Sequence, residues 1–236
     1  MSSTAGMRQL ALDLKLADFA LFDTFYQGPN AAVVSAVQDA AINHGRQVLW
    51  VWGADGSGRS HLLQAAVAAA AAEGQSCTWL PLSMAGLSPA MLEGMGQLDL
   101  LCVDDVDAVA GDADWERALF NVFEDLRSHD GRLIVTAAAP TNDVAFNLPD
   151  IKSRLASGPT WKLRTMNDDQ LLAALQLRSR WRGLDLPDET AQFLLKRVAR
   201  TTKSLFMLLD ELDQAALTAQ RKLTVPFVSS VIVKSS

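Results

Sequence analysis

Two cysteines, Cys77 and Cys102, are too few in 236 residues for a disulfide framework. Both fall in apolar, strand-like runs and read as buried free thiols of a cytoplasmic protein. Histidine is equally scarce: His44, His61 and His129 are scattered and lack the spacing of metal ligands. No run approaches the ~18 continuous apolar residues of a membrane span, and no signal-peptide pattern opens the chain, so no membrane contact is expected. Basic charge is short as well. With 21 Lys and Arg against 27 Asp and Glu, the net charge is −6 and the pI about 5.0. That balance excludes a general electrostatic affinity for DNA; strong direct binding would need a local basic patch or a partner. Hydrophobic residues, by contrast, are plentiful at 49%, with 20% charged, enough for a substantial core. The length suits one large domain or a domain with a small satellite.

What is present is organised around Gln47 to Leu63, QVLWVWGADGSGRSHLL. The apolar run Val48 to Trp52, flanked by turn residues, predicts a short buried strand. Gly53-Ala54-Asp55-Gly56-Ser57-Gly58-Arg59-Ser60 follows, and an Ala-rich, proline-free stretch predicts a helix from near Ser60 through Ala72 to Gly74. Strand, glycine loop and helix start make a P-loop arrangement. Its glycines let backbone N–H groups turn inward around phosphate oxygens, and the helix end adds partial positive charge. Gly53, Gly56, Ser57, Gly58, Arg59, Ser60 and His61 are therefore the candidate nucleotide-binding residues. The pattern is GxxxxG[R]S, with Arg59 where the strict motif has lysine. Arginine keeps the charge and offers a fork of donors, but it is longer and planar, which favours binding phosphates over promoting γ-phosphoryl transfer. The competing reading is a glycine turn that binds nothing.

Along the chain, the first six residues are small and polar and are expected to be disordered. Gln9 is followed by Leu10, Leu12 and Leu14, which share one face in an extended segment. Such a run is either an edge strand or, on a polar tail, a docking peptide for an apolar groove. A folded domain is expected from Leu21, with helices over Ala31–Asn43, Asp114–His129 and Asp150–Ala156 and a short one over Pro89–Gly94. Strands are expected at Ser76–Leu82, interrupted by Pro81, and at Leu98–Asp104, Arg132–Ala137 and Pro159–Leu163. Beyond Thr165 only helices are expected: Asp168–Arg182, Pro187–Arg200, Ser204–Lys222 and a short one after Pro226. The fold class is thus α/β, a parallel sheet covered by helices on both faces, with a C-terminal helical domain. The expected divisions are a tail at 1–20, an α/β domain at 21–165 and a helical domain at 166–236.

A second motif lies forty residues on. Leu100-Leu101-Cys102-Val103-Asp104-Asp105 is a buried strand ending in two carboxylates. In P-loop proteins the first acid, with the loop hydroxyl (here Ser60), holds Mg²⁺, and the second polarises an attacking water. Asp104 and Ser60 are therefore metal candidates and Asp105 a catalytic one. The two motifs together make a nucleotide the expected ligand.

The order of motifs resembles the AAA+ family and, within it, the DnaA-related proteins. Phe22-Asp23-Thr24-Phe25 with Gly28 and Asn30 resembles the segment leading into the family's nucleotide-binding core, and Lys152-Ser153-Arg154 resembles the box that supplies its arginine finger. The likeness runs from Gln9 to about Val228, without the initiator's C-terminal DNA-binding domain. It is therefore closest in kind to the family's negative regulators of chromosomal replication initiation. The resemblance implies an AAA+ core with a helical lid. It implies a clamp-binding peptide at Gln9, Leu10, Leu12 and Leu14, with the DNA polymerase sliding clamp and the DnaA initiator as partners. It also implies Arg154 acting in trans on DnaA-bound ATP, and Lys203 offered to the nucleotide from the lid. The cofactor implied is ADP or another nucleoside diphosphate, with ATP admitted, together with Mg²⁺, and assembly into a homo-oligomer is compatible. Where the initiator carries a polar sensor this chain has Ala138, which with Arg59 implies weak or no ATPase activity of its own. The alternative is a self-sufficient AAA+ ATPase that loads or remodels a replication protein.

Overall fold

A computed structural model of the chain describes residues 20–43, 48–197, 202–219 and 221–235. The tail residues Gln9, Leu10, Leu12 and Leu14 lie outside them. Five parallel strands, β1 (Val48–Trp52), β2 (Cys77–Pro81), β3 (Leu100–Asp104), β4 (Arg132–Ala137) and β5 (Thr160–Lys162), form one sheet in the order β2-β3-β4-β1-β5. Every crossover carries a helix or a helical turn, as parallel neighbours require. On one face lie α1 (Ala31–Ile42) and α2 (Arg59–Ala72); on the other lie α3 (Ala113–Ser128) and α4 (Pro149–Leu155).

Strand β3 shows why the sheet needs both covers. Leu100 and Cys102 pack with α1 and α2, whereas Leu101 and Val103 pack with α3 and α4, and all four are buried. Alternate side chains of a strand point to opposite faces, so a strand apolar at every position has to be covered twice. Pro81 does not interrupt β2 as the sequence suggested. It is the strand's last residue, in register with Asp104, on an edge strand where a missing N–H is tolerated. The short helix expected after Ser88 is a single tight turn, Pro89–Leu92.

One buried charge ties the layers together. Arg132, at the start of β4, is 1% exposed. Its Nη1 donates to the carbonyls of Ala40 (3.2 Å), Ala41 (2.7 Å) and Asn43 (2.8 Å), at the end of α1. Its Nε donates to the Asp99 carbonyl at 3.1 Å, and Nη2 to the Gln75 side chain. The last carbonyls of a helix have no partner within it and carry partial negative charge, so a guanidinium there satisfies several at once. Burial lowers the Arg132 pKa, with the Asp99 carboxylate pulling the other way.

After β5 the chain is helical: α5 (Asp168–Trp181), α6 (Asp188–Arg197), α7 (Thr202–Ala219) and α8 (Val225–Ser235). Helix α5 opens with a capping box in which Asn167 accepts from the Gln170 N–H and Gln170 returns the bond. Leu171, Leu175, Leu194, Leu205, Leu209, Leu212 and Val228 form a separate buried cluster, so these helices have a core of their own. Among the described residues no helix is long and apolar enough to cross a membrane.

Candidate functional site

The glycine loop sits between the C-terminal end of β1 and the start of α2, where a parallel sheet opens its ligand crevice. Gly56 (φ 74°) and Gly58 (φ 102°) have left-handed backbone that side chains resist. A Cβ on Gly58 would meet the Phe25 ring at 2.6 Å, and one on Gly56 would meet the Thr202 hydroxyl at 2.9 Å. The loop therefore has to be glycine both for its turn and for what closes over it. A cavity of about 460 Å³ opens here, lined by the loop from Ala54 to His61, by Phe25 and Tyr26 before α1, and by Arg178, Thr202 and Phe206 of the lid.

Arg59 lines the cavity, but its guanidinium is engaged by protein partners. Its side chain is buried, with Nη1 donating to the Gly53 carbonyl and Nη2 donating to Asp105 Oδ1 at 2.8 Å and Asp55 Oδ1 at 3.3 Å. Asp105, in the left-handed region at φ 52°, is held on its other oxygen by the Ser83 hydroxyl at 2.9 Å. The sequence reading gave Asp105 the task of polarising water; here both of its oxygens have donors. Ser57 Oγ, by contrast, is buried with no hydrogen-bond partner among the described residues. An orphaned hydroxyl inside a glycine cradle is the polar group that a phosphate oxygen would satisfy, so the residues present fit a nucleotide.

Asp104 is 1% exposed, and burial raises its carboxyl above the ordinary range. Hydrogen bonds from Ser60 and Thr136 oppose the rise, the Asp105 charge adds to it, and Trp79 Nε1 donates at 3.3 Å. The Thr136 hydroxyl bonds Asp104 Oδ1 and accepts the Asp105 N–H at 3.1 Å. Thr136 thus fixes both acids. Ala138, at the position where the resemblance implies a polar sensor, donates its backbone N–H to Asp107 at 3.1 Å. The available signal was a lone hydroxyl at the end of an apolar strand, RLIVTA, adjacent to the acidic one. Among the described residues no three His, Cys, Asp or Glu side chains could hold a metal ion by themselves. A magnesium ion would thus take Asp104 and Ser60 and complete its shell with phosphate oxygens and water.

His61 lines the cavity with its ring engaged by the segment before α1. Its Nε2 lies 2.9 Å from the Leu21 carbonyl and 3.2 Å from the Thr24 hydroxyl, and its ring meets Phe25 edge-on at 5.3 Å. Burial lowers its pKa to about 4, against the Leu21 hydrogen bond and with help from the Arg178 charge, so the ring is neutral at neutral pH. His61 joins the segment before α1 to the first turn of α2 and shapes the cavity wall.

The lid supplies what sequence reasoning missed. Arg178 stacks over Phe206 at 4.5 Å, and its buried Nε has no partner among the described residues. Thr202 donates its hydroxyl to the Gly56 carbonyl, a direct bond from lid to loop. Lys203 falls in α7, but its side chain lies outside the described part. Arg154, on α4, is not among the residues lining this cavity. Its Nε pairs with Glu124 Oε1 at 2.9 Å, and its side chain is 42% exposed.

The sequence profile of the Hda lid domain matches residues 168–232. Among solved structures, the chain is similar to domain III of the replication initiation protein DnaA of Thermotoga maritima. That match has a TM-score of 0.76 at 17% identity and covers 93% of this chain and 98% of that one. AMPPCP-bound DnaA from Aquifex aeolicus matches with a TM-score of 0.66 at 17% identity, over 83% of this chain and 65% of that one. The RuvB Holliday junction branch migration motor of Thermotoga maritima follows at 0.61 and 13% identity, over 87% and 68%. At these identities the likeness is one of fold. The chain spans under two thirds of the Aquifex protein it matches.

Proposed function

We infer the role of this chain from the premise that it is an Hda-like, DnaA-related AAA+ protein. It is a nucleotide-bound regulator of replication initiation that docks on the DNA sliding clamp and donates Arg154 to ATP held by DnaA. One observation carries the reading: the cationic loop residue Arg59 and the acid Asp105 neutralise each other at 2.8 Å, while the exposed Arg154 stands apart from the cavity. Water activation by Asp105 would require breaking that pair, so the chain's own cavity favours retention of a diphosphate over turnover.

Gly56 to Ser60 and the Ser57 hydroxyl would bind the phosphates of ADP or another nucleoside diphosphate, with Ser60 and Asp104 toward Mg²⁺. DnaA of Aquifex aeolicus, which shares the fold, binds AMPPCP. Gln9, Leu10, Leu12 and Leu14 dock as an extended peptide on the clamp, and the fixed core brings Arg154 to the partner's site. There a guanidinium neutralises charge developing on the transferring phosphoryl group, worth roughly 10³–10⁵ in rate where such fingers act.

The test measures hydrolysis of DnaA-bound ATP with clamp on DNA, comparing wild type with Arg154→Ala and Arg154→Lys. Alanine should remove most of the stimulation while leaving clamp binding intact, and lysine should rescue poorly because it lacks the planar fork. Equal stimulation by all three refutes the assignment. Brisk hydrolysis by the isolated chain, abolished by Asp105→Asn, would favour the self-sufficient ATPase instead.

A further inference from the structure

Helix α3 holds α4 at two points, both through carboxylates on the same side of α3, about two turns apart. Glu116 is 1% exposed, yet its carboxylate is fully occupied. It accepts N–H groups from Gly111 at 2.7 Å, Asn147 at 2.9 Å and Leu148 at 2.6 Å. Leu148 is the residue that opens α4, so Glu116 caps that helix from outside and fixes where it begins. Ile151 and Leu155 then bury the inner side of α4 against Leu119, Val122 and Leu126 of α3. The backbone beneath Arg154 is thereby fixed in place and direction.

Glu124 acts on the side chain itself. Its Oε1 lies 2.9 Å from Arg154 Nε in an ion pair without a hydrogen bond, and its Oε2 faces Arg127 Nη1 at 3.7 Å. Nε is the inner donor of a guanidinium. A pair made there leaves both terminal nitrogens unengaged among the described residues, in a side chain still 42% exposed. The geometry points to Glu124 as a positioning residue that aims the terminal fork of Arg154 outward, at the phosphates of a second nucleotide-binding chain. This inference rests on the reading of Arg154 as a donor in trans.

Holding the inner nitrogen removes rotamer freedom before the encounter, so less is lost when the fork meets phosphate. The pair also keeps the fork in the orientation a transferring group requires, where a displacement of an ångström costs up to about 10²-fold in rate. A lysine at this position carries its charge on a single terminal nitrogen, so pairing it with Glu124 would leave no free fork. Glu124 touches no nucleotide; it acts only through Arg154.

The experiment uses the full chain with clamp on DNA and DnaA loaded with ATP. It measures the maximal stimulated rate and the half-saturating concentration for wild type, Glu124→Ala, Glu124→Gln and Arg154→Ala. Glu124→Ala should lower the maximal rate roughly tenfold with an unchanged half-saturating concentration. Glu124→Gln keeps the shape of the side chain but removes the charge of the ion pair, and should fall between it and wild type. An effect on half-saturation alone, a wild-type rate, or a raised rate in Glu124→Ala would overturn the proposal; a raised rate would make Glu124 a restraint instead. Arg154→Ala separates the two readings. If it is inactive while Glu124→Ala is normal, only the positioning role fails. If Arg154→Ala stimulates normally, the finger itself is refuted and Glu124 falls with it.

Discussion

Replacing Arg132 with methionine removes the donor that closes α1. The substitution keeps the length of the side chain and its burial, so the cost falls on what is left behind. Ala40 and Ala41 are 2% and 0% exposed, and both of their carbonyls lose the Arg132 Nη1 bond. A buried acceptor left unsatisfied costs about 1–3 kcal/mol, so these two alone give roughly 2–6 kcal/mol. Part is returned because the folded state no longer desolvates a guanidinium, the effect that already lowers the Arg132 pKa. The loss of a cation at a helix C-terminus adds up to ~2 kcal/mol in buried geometry. The net expectation is a loss of about 3 kcal/mol. Arg132→Lys, which keeps the charge but cannot span α1, Asp99 and Gln75 together, should lose about half as much. Equilibrium unfolding in urea, followed by tryptophan fluorescence, reads both. A methionine variant within ~0.5 kcal/mol of wild type would refute the account and reduce Arg132 to a tolerated charge.

The neutral His61 makes stability depend on pH. Its folded pKa of about 4 lies below the ordinary 6.5, so the unfolded chain binds more protons between those values. Its contribution is full above pH 6.5 and is lost as pH falls toward 4, on the order of 2–3 kcal/mol; His61→Phe should flatten that slope, and an unchanged slope would sink the assignment. Thr136→Val leaves the Asp105 N–H and an oxygen of Asp104 without their shared hydroxyl, which should cost about 2 kcal/mol of stability and roughly tenfold in magnesium-dependent nucleotide affinity. Thr136→Ser should restore both in denaturation and titration measurements. A chain of residues 15–236 should keep its melting temperature and its nucleotide but lose the clamp. Two buried leucines at roughly 1.5–3 kcal/mol each support only micromolar binding of the isolated peptide; unfolding on truncation would instead make the tail a structural strand.

The strands were legible because burial on both faces leaves a continuous apolar run, and β3 is readable from LLCVD alone. The phosphate loop was legible because left-handed backbone demands glycine locally, at Gly56 and Gly58. The residues that escaped share a different cause. Arg178, Thr202 and Phe206 reach the cavity from more than a hundred residues away in the chain, and nothing in their own neighbourhoods marks them as cavity-facing. Arg132 looked like the polar start of a strand because its partners are carbonyls, which every residue has. The pairing of Arg59 with Asp105 was equally hidden: two motifs read separately, each with its own expected task, neutralise each other across the C-terminal edge of the sheet, with β4 between their strands. Thr136 escaped for the same reason, since a hydroxyl inside an apolar strand shows its use only where it meets the two acids of the neighbouring strand.

The hydrogen bond from Thr202 to the Gly56 carbonyl turns the helical domain into a latch on the loop. The wall on one side of the cavity between them is a domain with its own core. A ligand bound there contacts both parts, so its residence time depends on the bond between them as well as on the cradle. By linkage, any ligand that favours the latched posture is held more tightly by the same factor with which it stabilises the latch. A substitution as small as Thr202→Val, which removes that one hydroxyl and leaves every acid and glycine in place, would therefore shorten the memory of the bound state while leaving the chemistry of the cradle as it was.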